Sequence, residues 1–203
     1  MVMMKRVLGL LLAFVPVVLF IGGGTMAYLG SGSVNASAIP DTGKLHLSIV
    51  QDSSTDYSFQ VPGVVPGDSG HSSIRLVNDG GHPGMFGAGF SSIVNVPGTF
   101  GEYADNSGDL GANVQIAVYI DMDISGDWSD GDVGLKTNGG VYSYPMVLEY
   151  DAMNNYGGIM WNSITTVFAS AKFDFVIDWR VPITVGNEIQ GDSASFDITF
   201  ILE

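Results

Sequence analysis

Phe173, Phe175, Ile177 and Trp179 stand at every second position, and Lys172, Asp174, Asp178 and Arg180 fill the places between, around Val176. Side chains leave a strand to opposite faces with a period of two, so this stretch predicts a strand with one apolar face. Its polar face, with Asp174, Asp178 and Arg180, reads as solvated and internally paired. The same period recurs in Val114, Ile116, Val118 and Ile120, in Leu45, Leu47 and Ile49 against Lys44, His46 and Ser48, and in Phe196, Ile198 and Phe200. Residues 56–61 and 72–77 add two more short strands. Val65-Pro66-Gly67-Asp68 places Pro and Gly as a type II turn requires. Residues 79–89 read as a glycine-dense irregular stretch anchored by Met85 and Phe86, and residues 144–154 as a short helix. About eight or nine strands at this spacing, without alternating helices, predict an all-β antiparallel sandwich in a single domain over residues 40–203.

The start of the chain is organised differently. Lys5 and Arg6 precede an apolar run from Val7 to Ile21, which exits through Gly22-Gly23-Gly24-Thr25-Met26-Ala27. A basic start, an apolar centre and a small-residue exit describe a secretory signal over residues 1–27, cut after Ala27. Ala36-Ser37-Ala38 is the more literal small-x-small site but lies further from the apolar run. The alternative is a retained anchor holding a monomeric, calcium-stabilised domain at the cell surface. A spanning helix takes about 20 apolar residues, a length the run reaches only with its glycines. A retained pilin-type helix is opposed by the triple glycine and by the strand-like pattern of residues 28–39. Beyond the cut, Gly30, Gly32, Val34, Ala36 and Ala38 alternate with Ser31, Ser33, Asn35 and Ser37. A strand with so slight a buried side cannot fold alone. Residues 28–39 are therefore expected to complete an existing sheet, in their own domain or in a neighbour's. Asn35-Ala36-Ser37 is a glycosylation sequon by pattern.

Charge narrows the partners. Removing Lys5 and Arg6 with the signal leaves five basic against 21 acidic residues, a net of −16. That surface disfavours nucleic acid and anionic membranes and favours cations. The acidic residues concentrate in Asp121-Met-Asp123-Ile-Ser125-Gly126-Asp127-Trp-Ser129-Asp130-Gly131-Asp132. Set on a twelve-residue calcium loop, Asp121, Asp123, Ser125, Ser129 and Asp132 supply side-chain oxygens, Asp127 its backbone carbonyl, and Gly126 the sharp turn. Aspartate in the last position reaches less far than the usual glutamate, and no entering helix precedes the loop. A solvated acidic hairpin tip would use the same turn residues. Five carboxylates in so short a span nevertheless repel one another without a cation, so structural calcium is expected.

Catalytic chemistry finds no footing. The sequence has no cysteine, no H-E-x-x-H and no G-x-S-x-G. His46, His71 and His82 are scattered, with no glutamate near them in sequence, and Gly22-Gly23-Gly24 belongs to the signal. No catalytic residue is expected.

Several short motifs, taken in order, resemble one family. Gly22-Gly23-Gly24-Thr25-Met26-Ala27 is similar to the signal exit of the TasA/camelysin family of secreted fibre proteins of bacterial biofilm matrices, whose archaeal relatives form bundling pili. Thr42-Gly43-Lys44-Leu45-His46-Leu47-Ser48 resembles that family's small-Gly-x-Leu-x-Leu strand. Val65-Pro66-Gly67-Asp68 with Ile74-Arg75-Leu76-Val77-Asn78-Asp79-Gly80 resembles its turn and following strand, and residues 190–200 resemble its closing strand. The likeness covers residues 20–80 and 186–203 and leaves the middle unmatched. Met26 stands where bacterial members commonly carry an aromatic. The resemblance implies a jelly-roll sandwich with an N-terminal donor strand. It further implies a homopolymeric extracellular filament, assembled head to tail by donor-strand complementation and able to bundle with other filaments.

Overall fold

In a computed structural model, the described residues are 28–33, 45, 47–49, 56–62, 64–98, 108–186 and 189–203. The expected signal, Val34, Asn35, Ala36, Ala38 and His46 lie outside them. Among the described residues there are thirteen strands: β1 (Tyr28–Ser33), β2 (Leu47–Ile49), β3 (Asp56–Pro62), β4 (Ser69–Asn78), β5 (Gly84–Phe90), β6 (Val94–Val96), β7 (Gln115–Asp121), β8 (Val133–Leu135), β9 (Val141–Ser143), β10 (Asp151–Ala152), β11 (Met160–Val167), β12 (Lys172–Arg180) and β13 (Ser193–Leu202). A single helical turn, α1 (Leu110–Asn113), precedes β7. The strands form two antiparallel sheets. One runs β1-β3-β13-β5-β11, with β6 also on β13; the other runs β2-β4-β12-β7-β8-β9, with β10 also on β7.

The two sheets face each other across one core. Phe173, Phe175, Ile177 and Trp179 of β12 are buried, as their spacing predicts. Phe86, Phe90, Trp161, Phe196 and Phe200 meet them from the opposite sheet. Phe90 stacks on Phe196 at 4.3 Å between centroids and meets Trp161 edge-on at 5.1 Å. Phe86 meets Phe173 at 4.8 Å, and Phe175 meets Phe200 at 5.0 Å, both edge-on. Each such pair contributes about 0.5–1.5 kcal/mol beyond its buried area. The turn at Val65–Asp68 also forms as expected: Gly67 has φ +94°, and Asp68 N–H donates to the Val65 carbonyl at 3.1 Å.

Three sequence expectations need correction. The stretch expected to be irregular contains β5, a central strand between β13 and β11. Its glycines mask an inward set of Phe86, Ala88 and Phe90 and leave room for the neighbouring strand. A Cβ on Gly87 would lie 2.9 Å from the Trp161 carbonyl oxygen, and one on Gly89 2.6 Å from Met160 Cε. Residues 144–154 are not a helix. Pro145 follows β9 in a turn closed by Met146 N–H to the Ser143 carbonyl at 3.1 Å; β10 and a 3-10 turn, Met153–Tyr156, come after it. Proline is tolerated in a helix's first turn, so what excludes the helix is the strand pairing of Asp151 and Ala152 with Ile116 and Gln115 of β7. The polar face of β12 is only partly solvated, because Val176 on that face is fully buried and Asp174 nearly so, while Lys172 and Arg180 at its ends are exposed.

Gly70 lies opposite Trp179 in the β4–β12 register. A Cβ there would sit 2.5 Å from Trp179 Nε1, a buried N–H with no hydrogen-bond partner. Gly70→Ala is expected to cost about 1–3 kcal/mol by overpacking. Trp179→Phe removes Nε1 and the outer ring, so the double variant is expected to regain most of that loss in urea denaturation. Equal losses in the single and double variants would show that the indole is not what excludes a side chain at position 70.

Candidate metal centre

The acidic loop is the β7–β8 hairpin connection. β7 ends on Asp121 and β8 begins just after Asp132, and both carboxylates are fully buried at the base of the loop. β7 runs with Ile116, Val118 and Ile120 in the core, so Tyr119 and Asp121 fall on the outer face of the sheet. The strand period thus delivers Asp121 to the loop's entrance.

Backbone donors then wind the loop around these two side chains. Asp121 Oδ1 accepts the N–H groups of Ile124 at 2.7 Å and Ser125 at 3.2 Å, and its Oδ2 accepts that of Gly126 at 2.8 Å. Asp132 Oδ1 accepts from Met122 N–H at 3.0 Å, and its Oδ2 from Ser129 N–H at 2.8 Å. Reversing the chain this tightly takes left-handed backbone at Ile124 (φ +61°) and Gly126 (φ +82°). Glycine adopts that region freely, whereas Ile124 is held there at a steric cost.

Three of the six residues expected to bind a cation cluster by their carboxylates, and the two serines and the Asp127 carbonyl link to them through hydrogen bonds. Carboxylate oxygens of Asp121, Asp123 and Asp132 lie within 4.8 Å of one another. Ser129 Oγ lies 3.4 Å from both Asp123 oxygens and 3.3 Å from Asp132 Oδ2. Ser125 Oγ is 3.3 Å from Ser129 Oγ and donates to the Asp127 backbone carbonyl at 3.0 Å. The donor set is all oxygen: three carboxylates, two hydroxyls and one carbonyl. That chemistry fits a hard divalent cation taking six to eight oxygens. The Asp127 side chain is exposed, as is Asp130. Burial pushes the Asp132 carboxyl above its ordinary value, whereas a hydrogen bond from Ser125 holds Asp123 below its own.

Sequence spacing did not reveal what flanks the loop. Across the outer face, the register aligns Arg75 of β4 with Asp174 of β12, and Asp174 with Asp121 of β7. Arg75 grips Asp174 with Nε at 2.6 Å and Nη2 at 2.7 Å. Beside Asp121, a second carboxylate is therefore held neutralised. Two strand positions along from Val176, Asp178 takes His71 Nδ1 at 2.6 Å, although no glutamate lies near His71 in sequence. Arg180, expected to pair with the aspartates of its own strand, donates instead to Gln115 Oε1 at 2.9 Å.

Of the expected polymerisation strand, Gly30 and Gly32 lie in β1, which pairs antiparallel with β3 at the sheet edge. The register sets Leu29 opposite the buried Phe59 and Gly30 opposite Ser58, and it slips between Ser31 and Ser33, leaving Gly32 in a bulge. Fold and loop together define a class, an antiparallel β-sandwich with an acidic, oxygen-lined hairpin connection. No family model matches the chain, and no curated protein matches it.

Proposed function

We propose that the chain is a structural subunit of an extracellular filament, built head to tail by exchange of its first strand and stiffened by calcium in the β7–β8 loop. The observation that carries this reading is the seat of β1. It lies at the edge of its sheet with β3 as its pairing partner, held by backbone register and not by a run of large side chains. The same seat can take residues 28–33 of a second copy, since strand addition draws its affinity from main-chain hydrogen bonds. A contact between two different surfaces does not close on itself, so it propagates as a fibre. The order β3-β13-β5-β11 against β4-β12-β7-β8 supports the jelly-roll reading of the sandwich. The motif resemblance to the TasA/camelysin family points the same way. The absence of cysteine leaves interlocked strands and bound metal as the sources of fibre strength.

Electron microscopy tests the reading. The secreted protein is expected to begin at Tyr28 and form thin regular fibres, whereas a chain lacking residues 28–38 is expected to fold and stay monomeric. Fibres from the truncated chain would remove strand exchange as the mechanism. Monomers still carrying the apolar run would favour a membrane-anchored surface domain.

Calcium has its own test. At a free concentration about 100 times its Kd, a ligand bound only by the folded state adds about 2.7 kcal/mol. For a domain of this size that corresponds to a rise in Tm of roughly 5–10 °C. Differential scanning calorimetry is expected to show this rise with calcium, its reversal by chelator, and a smaller response to magnesium, which demands a tighter octahedral shell. Identical melting curves with calcium and with chelator would leave the loop a hydrogen-bonded hairpin tip.

A further inference from the structure

A groove of about 560 Å³ opens on the outer face of the second sheet, beside the acidic loop but apart from its carboxylate cluster. Its size falls within the range of about 300–1,000 Å³ common for small-molecule sites. Strand register sets the floor: His71, Asp178 and Ala117 form one row across β4, β12 and β7, and Ser69, Arg180 and Gln115 the next. Asp127 and Trp128 reach it from the acidic loop, and Tyr150 from the segment before β10.

The chemistry of this groove is specific. Its polar groups are already held: His71 Nδ1 lies 2.6 Å from Asp178, the Arg180 guanidinium lies 4.0 Å from the Tyr150 ring centroid while bonded to Gln115, and the exposed Asp127 stands at the edge. Charges of both signs line the groove, Asp127 and Asp178 against Arg180, so it offers fixed donors and acceptors without a field of a single sign. Two aromatic rings are half exposed and already held in place. Trp128 donates Nε1–H to the Met146 carbonyl at 2.8 Å and meets Tyr119 edge-on at 5.6 Å; Tyr150 lies against Arg180. Rings fixed before binding lose little conformational entropy when a ligand covers them. A ligand suited to such a site has apolar C–H faces to lie on rings and many neutral hydroxyls to exchange hydrogen bonds with a carboxylate, an imidazole and a guanidinium. We infer that the groove over β12, between Trp128 and Tyr150, binds a neutral saccharide.

This inference is independent of filament assembly. The test uses the purified full-length protein, with calcium present throughout, against gluco-, manno-, galacto- and N-acetylglucosamine hexasaccharides. At least one is expected to bind with a Kd below about 1 mM, to change Trp128 fluorescence, and to shift the amide resonances of His71 and Asp178. Asp178→Asn and Tyr150→Ala are each expected to weaken binding tenfold or more. Should a variant fold poorly, the resonance map of the wild-type protein decides alone. No saccharide bound at millimolar concentration, or binding whose shifts map away from the groove, would overturn the inference. So would preferential capture of an anionic sugar or a peptide over every neutral saccharide.

Discussion

Asp121→Ala is expected to unfold at markedly lower urea than the parent chain and to lose all stabilisation by calcium. The side chain is fully buried and accepts three backbone N–H groups, those of Ile124, Ser125 and Gly126. A hydrogen bond to a charged acceptor contributes about 1.5–3 kcal/mol, and part of the lost bonding here is recovered by water at the exposed Ser125 and Gly126. The net cost is expected near ~3 kcal/mol. Asp121→Asn separates the two roles of the carboxylate. The amide keeps one acceptor oxygen, so it is expected to retain about half of the hydrogen-bond contribution, but it lacks the charge a hard cation needs. Denaturation of both variants, with calcium and with chelator, reads the roles apart. An Asp121→Ala chain as stable as its parent would mean that the loop's winding is set elsewhere.

The loop was readable because its oxygen-bearing residues are local. All six candidates lie within twelve residues, so their spacing alone pointed to the cluster that Asp121, Asp123 and Asp132 form, and Gly126 marked the turn. β7 and β12 were readable for a related reason, since each carries large side chains at strict period two. β5 was not: in Gly84–Phe90 the glycines that make room for β11 also dilute the pattern of Phe86, Ala88 and Phe90. The three-residue strands β6, β8 and β9 are too short to display any period. Least visible was the outer face of β12. A polar alternation looks the same whether water or another part of the chain covers it. Asp174 and Asp178 find Arg75 and His71 at separations of 99 and 107 residues, pairings that only strand register creates. The groove arises from that same register and so left no local trace.

Arg75→Met carries the second large effect. Asp174 is only 9 % exposed, and the bidentate grip of Arg75 is the ion pair that compensates its charge. Breaking a buried pair from one side costs about 3–5 kcal/mol, because the remaining charge is left in a poorly solvated place. Arg75 is itself 37 % exposed, so the loss is expected at the low end, about 3 kcal/mol. Replacing both partners, as in Arg75→Met with Asp174→Leu, is expected to restore most of it, since an apolar pair needs no compensation. The acidic loop adds a further consequence. Asp174 and Asp121 are register neighbours; the hydrogen bond to Asp174 raises the Arg75 pKa, and the fields of both carboxylates add to the rise. Removing the guanidinium thus exposes Asp121 to an unneutralised Asp174, and a cation at the loop relieves that repulsion. The cost of Arg75→Met is expected to be smaller with calcium than with chelator, and the variant is expected to bind calcium more tightly than the parent does. Urea denaturation in both conditions, with calorimetric titration of the metal, measures the coupling. A penalty that ignores calcium would confine the role of Arg75 to its pair with Asp174 and detach the cross-strand row from the metal site.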